Sequence, residues 1–335
     1  MSFHAIGDLA QYMNTRRHSA NLQSRIGQLT QELSTGRTSD VTRSLNASFG
    51  HLADVEHQIT LNSAFKTAAT EASVQAGAMQ SVLDMVQKQV TDISGTAMLA
   101  GNGMDGPALA AAAATARGGL DSMVAALNTG VAGRPVFGGT GLDNAPLISG
   151  ADMMNAVLAA VSPAGDAASV IAALDAFFDT PGGGFDTEVY VGGDQNFSAF
   201  QLGGGESVQL SIRADDDALK AVLKDTVMAA LAGESSLSLN HGERSSLLQK
   251  AGNSMLSTVD GVSRIRSDLG VAEARIDQSV ARIGAERTSL SMVRNELMSV
   301  DPFETATALE QAQLQLETIY TLTARTSRLN LVNFL

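Results

Sequence analysis

The sequence predicts a mainly α fold with a small β-containing central domain, its long N- and C-terminal helices packed as an antiparallel coiled-coil bundle. Three observations predict it. First, Leu269, Ile276, Ile283, Leu290 and Leu297 recur every seven residues, and Leu22, Ile26, Leu29 and Leu33 step by four, three and four. Such spacing confines apolar side chains to a narrow seam, which a helix buries against another helix. Second, 44% of the 335 residues are apolar but only 4% are aromatic, with no Trp, so Ala, Leu, Val and Met must fill the interior. Those residues suit helix packing. Third, residues 105–240 hold five basic and sixteen acidic residues, nearly all of the net charge of −13, while both ends are close to neutral. Neutral ends pack closely against other chains, and an acidic middle stays hydrated. The reading therefore divides the chain into an N-terminal helical region at 1–129, a central acidic α/β domain at 130–235 and a C-terminal helical region at 236–335.

The elements follow in order. A first helix spans about Ser2 to Leu33 and ends at Thr35-Gly36, because Gly accepts the left-handed conformation at a helix C-terminus. A polar link at 34–46 leads to a second long helix over roughly 46–99, where Met79, Leu83, Val86, Val90, Ile93 and Ala97 keep three-four spacing. Gly101-Asn102-Gly103 breaks it, and an Ala-rich helix runs to about Asn128. Residues 130–150 read as strand and turn, and 151–178 as helix interrupted at Pro163. Glu188–Val191 and Ser207–Ile212 read as short strands, punctuated by Gly-rich turns at 182–184 and 203–205. A helix at about 216–232 returns the chain to the C-terminal helices. These have a joint at Asp301-Pro302, where Asp301 caps, Pro302 suits the first helical position and Glu304 completes a capping-box pattern.

Composition excludes several functions. A net charge of −13 argues against nucleic acid as a partner, since phosphate binding needs a basic surface. The absence of Cys removes disulfides, Cys-based zinc sites and a thiol nucleophile. No stretch approaches 18 apolar residues, so no membrane insertion is expected. The first twenty residues hold no unbroken apolar run, so no cleaved secretory signal is expected either.

Motifs that could carry chemistry lack their companions. Gly101-Asn102-Gly103-Met104-Asp105-Gly106 spells GxGxxG, but helix rather than strand precedes it. Ser63-Ala64-Phe65-Lys66 spells SxxK without the Ser-Asp-Asn or Lys-Thr-Gly that penicillin-recognising enzymes need. Asp215-Asp216-Asp217 lacks the spaced oxygens of a calcium loop and reads as the acidic start of a helix. His4, His18, His51, His57 and His241 include no i, i+4 pair that could hold a metal. Arg16-Arg17 reads as a solvated face. The expectation is no enzyme, no catalytic residue, no cofactor and no metal.

The stripes instead name a candidate assembly interface: Ile6, Leu9, Met13, Leu22, Ile26, Leu29 and Leu33 near the start, and Leu309, Leu316 and Ile319 near the end. The closing run, with Leu331, Phe334 and Leu335, joins them, because such a run is hazardous left exposed and asks for burial against another subunit or a chaperone.

Several segments resemble one family. Leu29-Thr30-Gln31-Glu32-Leu33-Ser34-Thr35-Gly36-Arg37 resembles the "LS-S/T-G" signature of the bacterial flagellin family. Asp268-Leu269-Gly270 to Leu297, and Ala306 to Leu335 with Gln311-Ala312-Gln313, resemble its C-terminal helices. Within the family, three segments resemble the branch found at the hook–filament junction. They are Arg134-Pro135-Val136-Phe137-Gly138-Gly139-Thr140 with Ala145-Pro146, Tyr190-Val191-Gly192-Gly193-Asp194, and the ending Asn333-Phe334-Leu335. The likeness covers roughly the first 50 and last 70 residues; it departs at Ser39-Asp40-Val41-Thr42, where the family has Asp-Asp-Pro-Ala.

The resemblance implies a structural subunit of the flagellum at the junction of hook and filament, with filament flagellin as the alternative and an unrelated coiled-coil adaptor behind it. It implies export through the flagellar type III apparatus without a cleaved signal, hence an extracellular location. The implied partners are copies of itself in a ring, the hook-side junction protein (hook-associated protein 1), flagellin and an export chaperone. The terminal helices would form an inner tube, and the central domain would face outward.

Overall fold

A computed structural model describes residues 3–41, 49–103, 106–141 and 144–332. In chain order the elements are α1 (Phe3–Thr35), α2 (Phe49–Gly101), α3 (Gly106–Leu127), β1 (Gly130–Val131), β2 (Arg134–Pro135), α4 (Gly150–Val161), α5 (Ala167–Phe178), a π-helical turn (Phe185–Val189), β3 (Phe200–Gly203), β4 (Glu206–Val208), α6 (Asp217–Leu231), α7 (His241–Met298) and α8 (Pro302–Val332). The fold is mainly α with a small β part, as the sequence predicts. It forms two compact units. One joins Met1–Ser63 to Ala285–Leu335, and the other is Ala64–Gly284.

In the first unit α1 packs along α8. The pair is antiparallel: Gln23 on α1 reaches Tyr320 on α8, and Arg37, after α1, bridges Ser299, before α8. On α1 the partly buried positions are Thr15, Ser19, Leu22, Ile26, Leu29 and Glu32. On α8 Thr305 and Ala312 are buried and Leu309, Leu316 and Ile319 partly so. Both sets keep the three-four spacing that returns a side chain to one face of a helix. The joint before α8 forms as predicted: Asp301 Oδ1 accepts from the backbone N–H groups of Phe303 (2.8 Å) and Glu304 (3.2 Å).

In the second unit the α2 and α7 segments run antiparallel. Gln80 Nε2 donates to Arg266 O (3.1 Å), Gln87 Nε2 to Ser263 Oγ (3.1 Å), Ser94 Oγ to Gly252 O (2.9 Å) and Ser245 Oγ to Gly101 O (2.6 Å). Along α7 the heptad side chains Val262, Leu269, Ile276 and Ile283 are all buried. α3 packs on α6, α4 on α5, and α5 on α6. Asp216 caps α6 by accepting from Ala218 N–H, so the acidic triplet starts a helix, as its sequence suggests. The β1–β2 hairpin turns on Ala132 (φ 50°) and Gly133 (φ 80°), both left-handed, as a two-residue turn between twisted strands requires. The β3–β4 hairpin is tied to α7 by Arg282, whose Nη2 meets Glu206 Oε2 at 2.5 Å and Leu202 O at 3.3 Å.

Two expectations for the strands need correction. Residues 188–191 do not form a strand. Phe185–Val189 is a π-helical turn, closed by Tyr190 N–H donating to Phe185 O, and Tyr190 makes one isolated bridge to Leu147. Phe185 and Val189, four apart, are both fully buried, and Phe185 stacks at 5.4 Å on Phe178; helical spacing serves that burial and alternation would not. The run 207–212 does alternate, with Val208, Leu210 and Ile212 inward. Only its start pairs, with β3, a strand the sequence reading did not expect.

Candidate assembly interface

The helix pair of the first unit is held at one end by a clip of backbone. α1 stops where Gly36 turns left-handed (φ 68°) and its N–H returns to Glu32 O at 2.8 Å. The chain then lies against the α7–α8 joint: Thr38 N–H donates to Met298 O (2.9 Å), Val300 N–H to Gly36 O (3.2 Å) and Arg37 Nη2 to Asn295 Oδ1 (2.6 Å). Glu32 closes the loop by accepting from the N–H and the hydroxyl of Ser39, each at 2.7 Å. Thus the helix stop at Gly36 and the helix restart at Asp301, each legible alone, are one structure. Local pattern could not show this, because the partners lie some 260 residues apart in the chain.

A Cβ on Gly36 would meet nothing within 4 Å, so replacement by Ala adds backbone strain without a clash. That strain is about 1 kcal/mol. The expected result for Gly36→Ala is faster hydrogen exchange at the Thr38 and Val300 amides, by roughly fivefold, with the helical content unchanged. Equal protection in both proteins would contradict the clip's dependence on this residue.

The residues named from sequence fall into three groups. Leu22, Ile26, Leu29, Leu309, Leu316 and Ile319 are partly buried within the chain, on the facing stripes of α1 and α8. Met13 and Leu33 are exposed. Ile6, Leu9 and Leu331 lie on the backbone of α1 and α8 with their side chains outside the described residues, as Phe334 and Leu335 are altogether. The pairing leaves other large apolar side chains in water: Tyr12 on α1, Phe49 and Leu61 on α2, Met292 on α7, and Phe303, Leu314, Tyr320 and Leu322 on α8. Phe303 is 82% exposed and Leu314 65%. These residues sit off the heptad, so the spacing of the seam does not reveal them. Their signal was apolar side chains at positions where a two-helix pair needs polar ones.

The second unit places two of the sequence motifs against each other. Thr140 N–H donates to Gln195 O (2.9 Å), Gly193 N–H to Gly138 O (2.9 Å), and Val191 N–H to Pro146 O (2.9 Å). Tyr190 OH donates to Gly193 O at 2.7 Å; burial first, then the Asp215 charge, pushes its hydroxyl up to about 12, so it stays a donor. Arg213 forks onto Asp215 (2.8 and 2.7 Å) and donates to Asp194 O and Asn196 Oδ1. The Phe137–Thr140 and Tyr190–Asp194 segments are therefore one docked pair that shapes this unit.

No group of three or more His, Asp or Glu side chains among the described residues is placed to hold a metal ion, and no described helix is long and apolar enough to cross a membrane. His18, His51, His57 and His241 are exposed. Ser63 lies within α2, where its hydroxyl returns to Ile59 O.

The two ends of this α-helical chain thus fold onto each other and leave large apolar side chains exposed along the pair. Residues 245–335 match the bacterial flagellin C-terminal helical region. This stretch is thus similar to a region of the bacterial flagellin family. The fold of the chain is shared by Bacillus cereus FlgL, with a TM-score of 0.50 and 15% identity over 71% of this chain and 96% of that one. It is shared too by a proposed flagellar hook-associated protein from Vibrio parahaemolyticus, with a TM-score of 0.53 and 11% identity over 75% and 99%. No curated protein matches by sequence.

Proposed function

We propose that this chain is a structural subunit of the bacterial flagellum at the junction between hook and filament, the position of a hook-associated protein 3. The observation that carries the reading is the flagellin C-terminal match at 245–335 in a chain whose fold is that of FlgL and a hook-associated protein. The exposed apolar side chains of α1 and α8 are its contacts with further copies and with the neighbours on either side. A junction subunit meets a hook-side protein through one surface and flagellin through another, so its contacts are heterologous and need not propagate. It works without catalysis, after export from the cell.

Filament flagellin is the second reading, because the matched region is named for flagellin itself. Deletion of the gene separates the two. A cell without its junction subunit keeps hooks and releases flagellin into the medium as monomer, having no platform to build on. A cell without its sole flagellin keeps hooks and releases none. The measurement is electron microscopy of the deletion strain with immunoblotting of the culture supernatant for flagellin. Filaments of normal length on the deletion strain would refute the junction role.

A further inference from the structure

We infer that Asp225 is a structural proton-binding site, and that the α6–α7 packing of the second unit is more stable with the carboxyl neutral than with it charged. Asp225 lies on α6 with its side chain turned inward, in a row where Thr226, Val227, Met228 and Ala229 are buried as well. It is 1% exposed. Neither carboxyl oxygen has a hydrogen-bond partner among the described residues. A buried carboxylate that makes no hydrogen bond loses its hydration and regains only part of that cost from nearby groups, so the site favours the form that carries a proton.

The surroundings on each packed element agree. On α7 the hydroxyls of Ser254 and Thr258 lie beside the carboxyl and oppose its protonation without reaching hydrogen-bond geometry; Thr258 Oγ1 donates instead to Met255 O at 3.1 Å. On α6 the neighbouring cation is Lys224, which is already held by Asp175 (3.1 Å) and Asp179 (2.6 Å) of the α5 end. Asp179 adds a like charge. From α3 the neighbour of this row is apolar, Met123 against Thr226. Burial is the largest effect and pushes the Asp225 carboxyl up to about 6, from an ordinary 3.8.

The folded value lies above the unfolded one, so the contribution is full below about 3.8 and is lost as pH rises through about 6. The second unit then loosens between mild acid and neutrality while its exposed ion pairs stay charged. This behaviour depends only on the buried carboxyl and not on where the chain assembles.

Two measurements on the full chain test it. In the first, the Asp225 carboxyl carbon is followed by NMR through a pH titration. A midpoint about two units above an ordinary aspartate is expected, and a midpoint in the ordinary range overturns the inference. In the second, denaturant unfolding is compared between wild type and Asp225→Asn, which keeps the shape and cannot ionise. Relative to wild type, the variant's folded-to-unfolded ratio should rise by roughly a hundredfold from about pH 4 to about pH 7.5. Parallel pH dependence in the two proteins overturns it. If the variant fails to fold, the wild-type titration decides alone.

Discussion

Gly139→Ala is expected to destabilise the second unit by about 3–5 kcal/mol, the sum of three costs. Gly139 has φ 56°, where a side chain costs roughly 1 kcal/mol. A Cβ there would overlap the carbonyl oxygen of Gln195 and lie 2.9 Å from Arg213 Cδ. Relieving such overlap costs about 1–3 kcal/mol. The Gln195 oxygen is the acceptor for Thr140 N–H, so moving it also lengthens a bond worth about 1 kcal/mol. Gly204→Ala is the control, because a Cβ there meets nothing within 4 Å and its backbone is not left-handed. It should stay within about 0.5 kcal/mol of wild type. Denaturant unfolding followed by circular dichroism measures both. Equal stability of the two variants would show that the docked motifs do not hold the unit together.

For a subunit with the proposed function, Phe303→Asp with Leu314→Asp is expected to leave the free chain folded and to abolish its incorporation into the flagellum. The two side chains stand three turns apart on one face of α8 and are largely in water in the free chain. An exposed charge there costs the monomer within about 0.5 kcal/mol. Buried in an assembly with no partner, each charge would cost several kcal/mol. Circular dichroism and sedimentation of the purified variant report on the monomer, and immunoblotting of isolated hook–filament structures reports on incorporation. Wild-type incorporation of the double variant would place the assembly contacts elsewhere on the molecule. That result would leave the heptad seam of α1 and α8, with Leu22, Ile26, Leu309 and Leu316, as the alternative contact surface, free to exchange its intrachain pairing for one between chains.

What the sequence by itself determined is the set of helices and where they stop. Heptad spacing at Leu269, Ile276 and Ile283 placed a buried seam, Gly36 ended α1, Asp301-Pro302 began α8, and Asp216 began α6. Each of these signals acts within one or two turns of helix, where the residues that cap, terminate or face inward are neighbours in the chain. The composition placed the acidic, strand-containing part in the middle for a similar reason: charge excess and turn residues are local properties. What only the tertiary structure decided is which distant segments meet. The Gly36–Thr38 clip on Met298–Val300, the docking of Phe137–Thr140 on Tyr190–Gln195 and the inward turn of Asp225 all depend on partners far along the chain. The π-helical turn at 185–189 is the clearest case. Its β-branched and aromatic residues favour a strand locally, yet Phe185 is captured by Phe178 in the core, and burial of that ring outweighs the propensity of four or five residues.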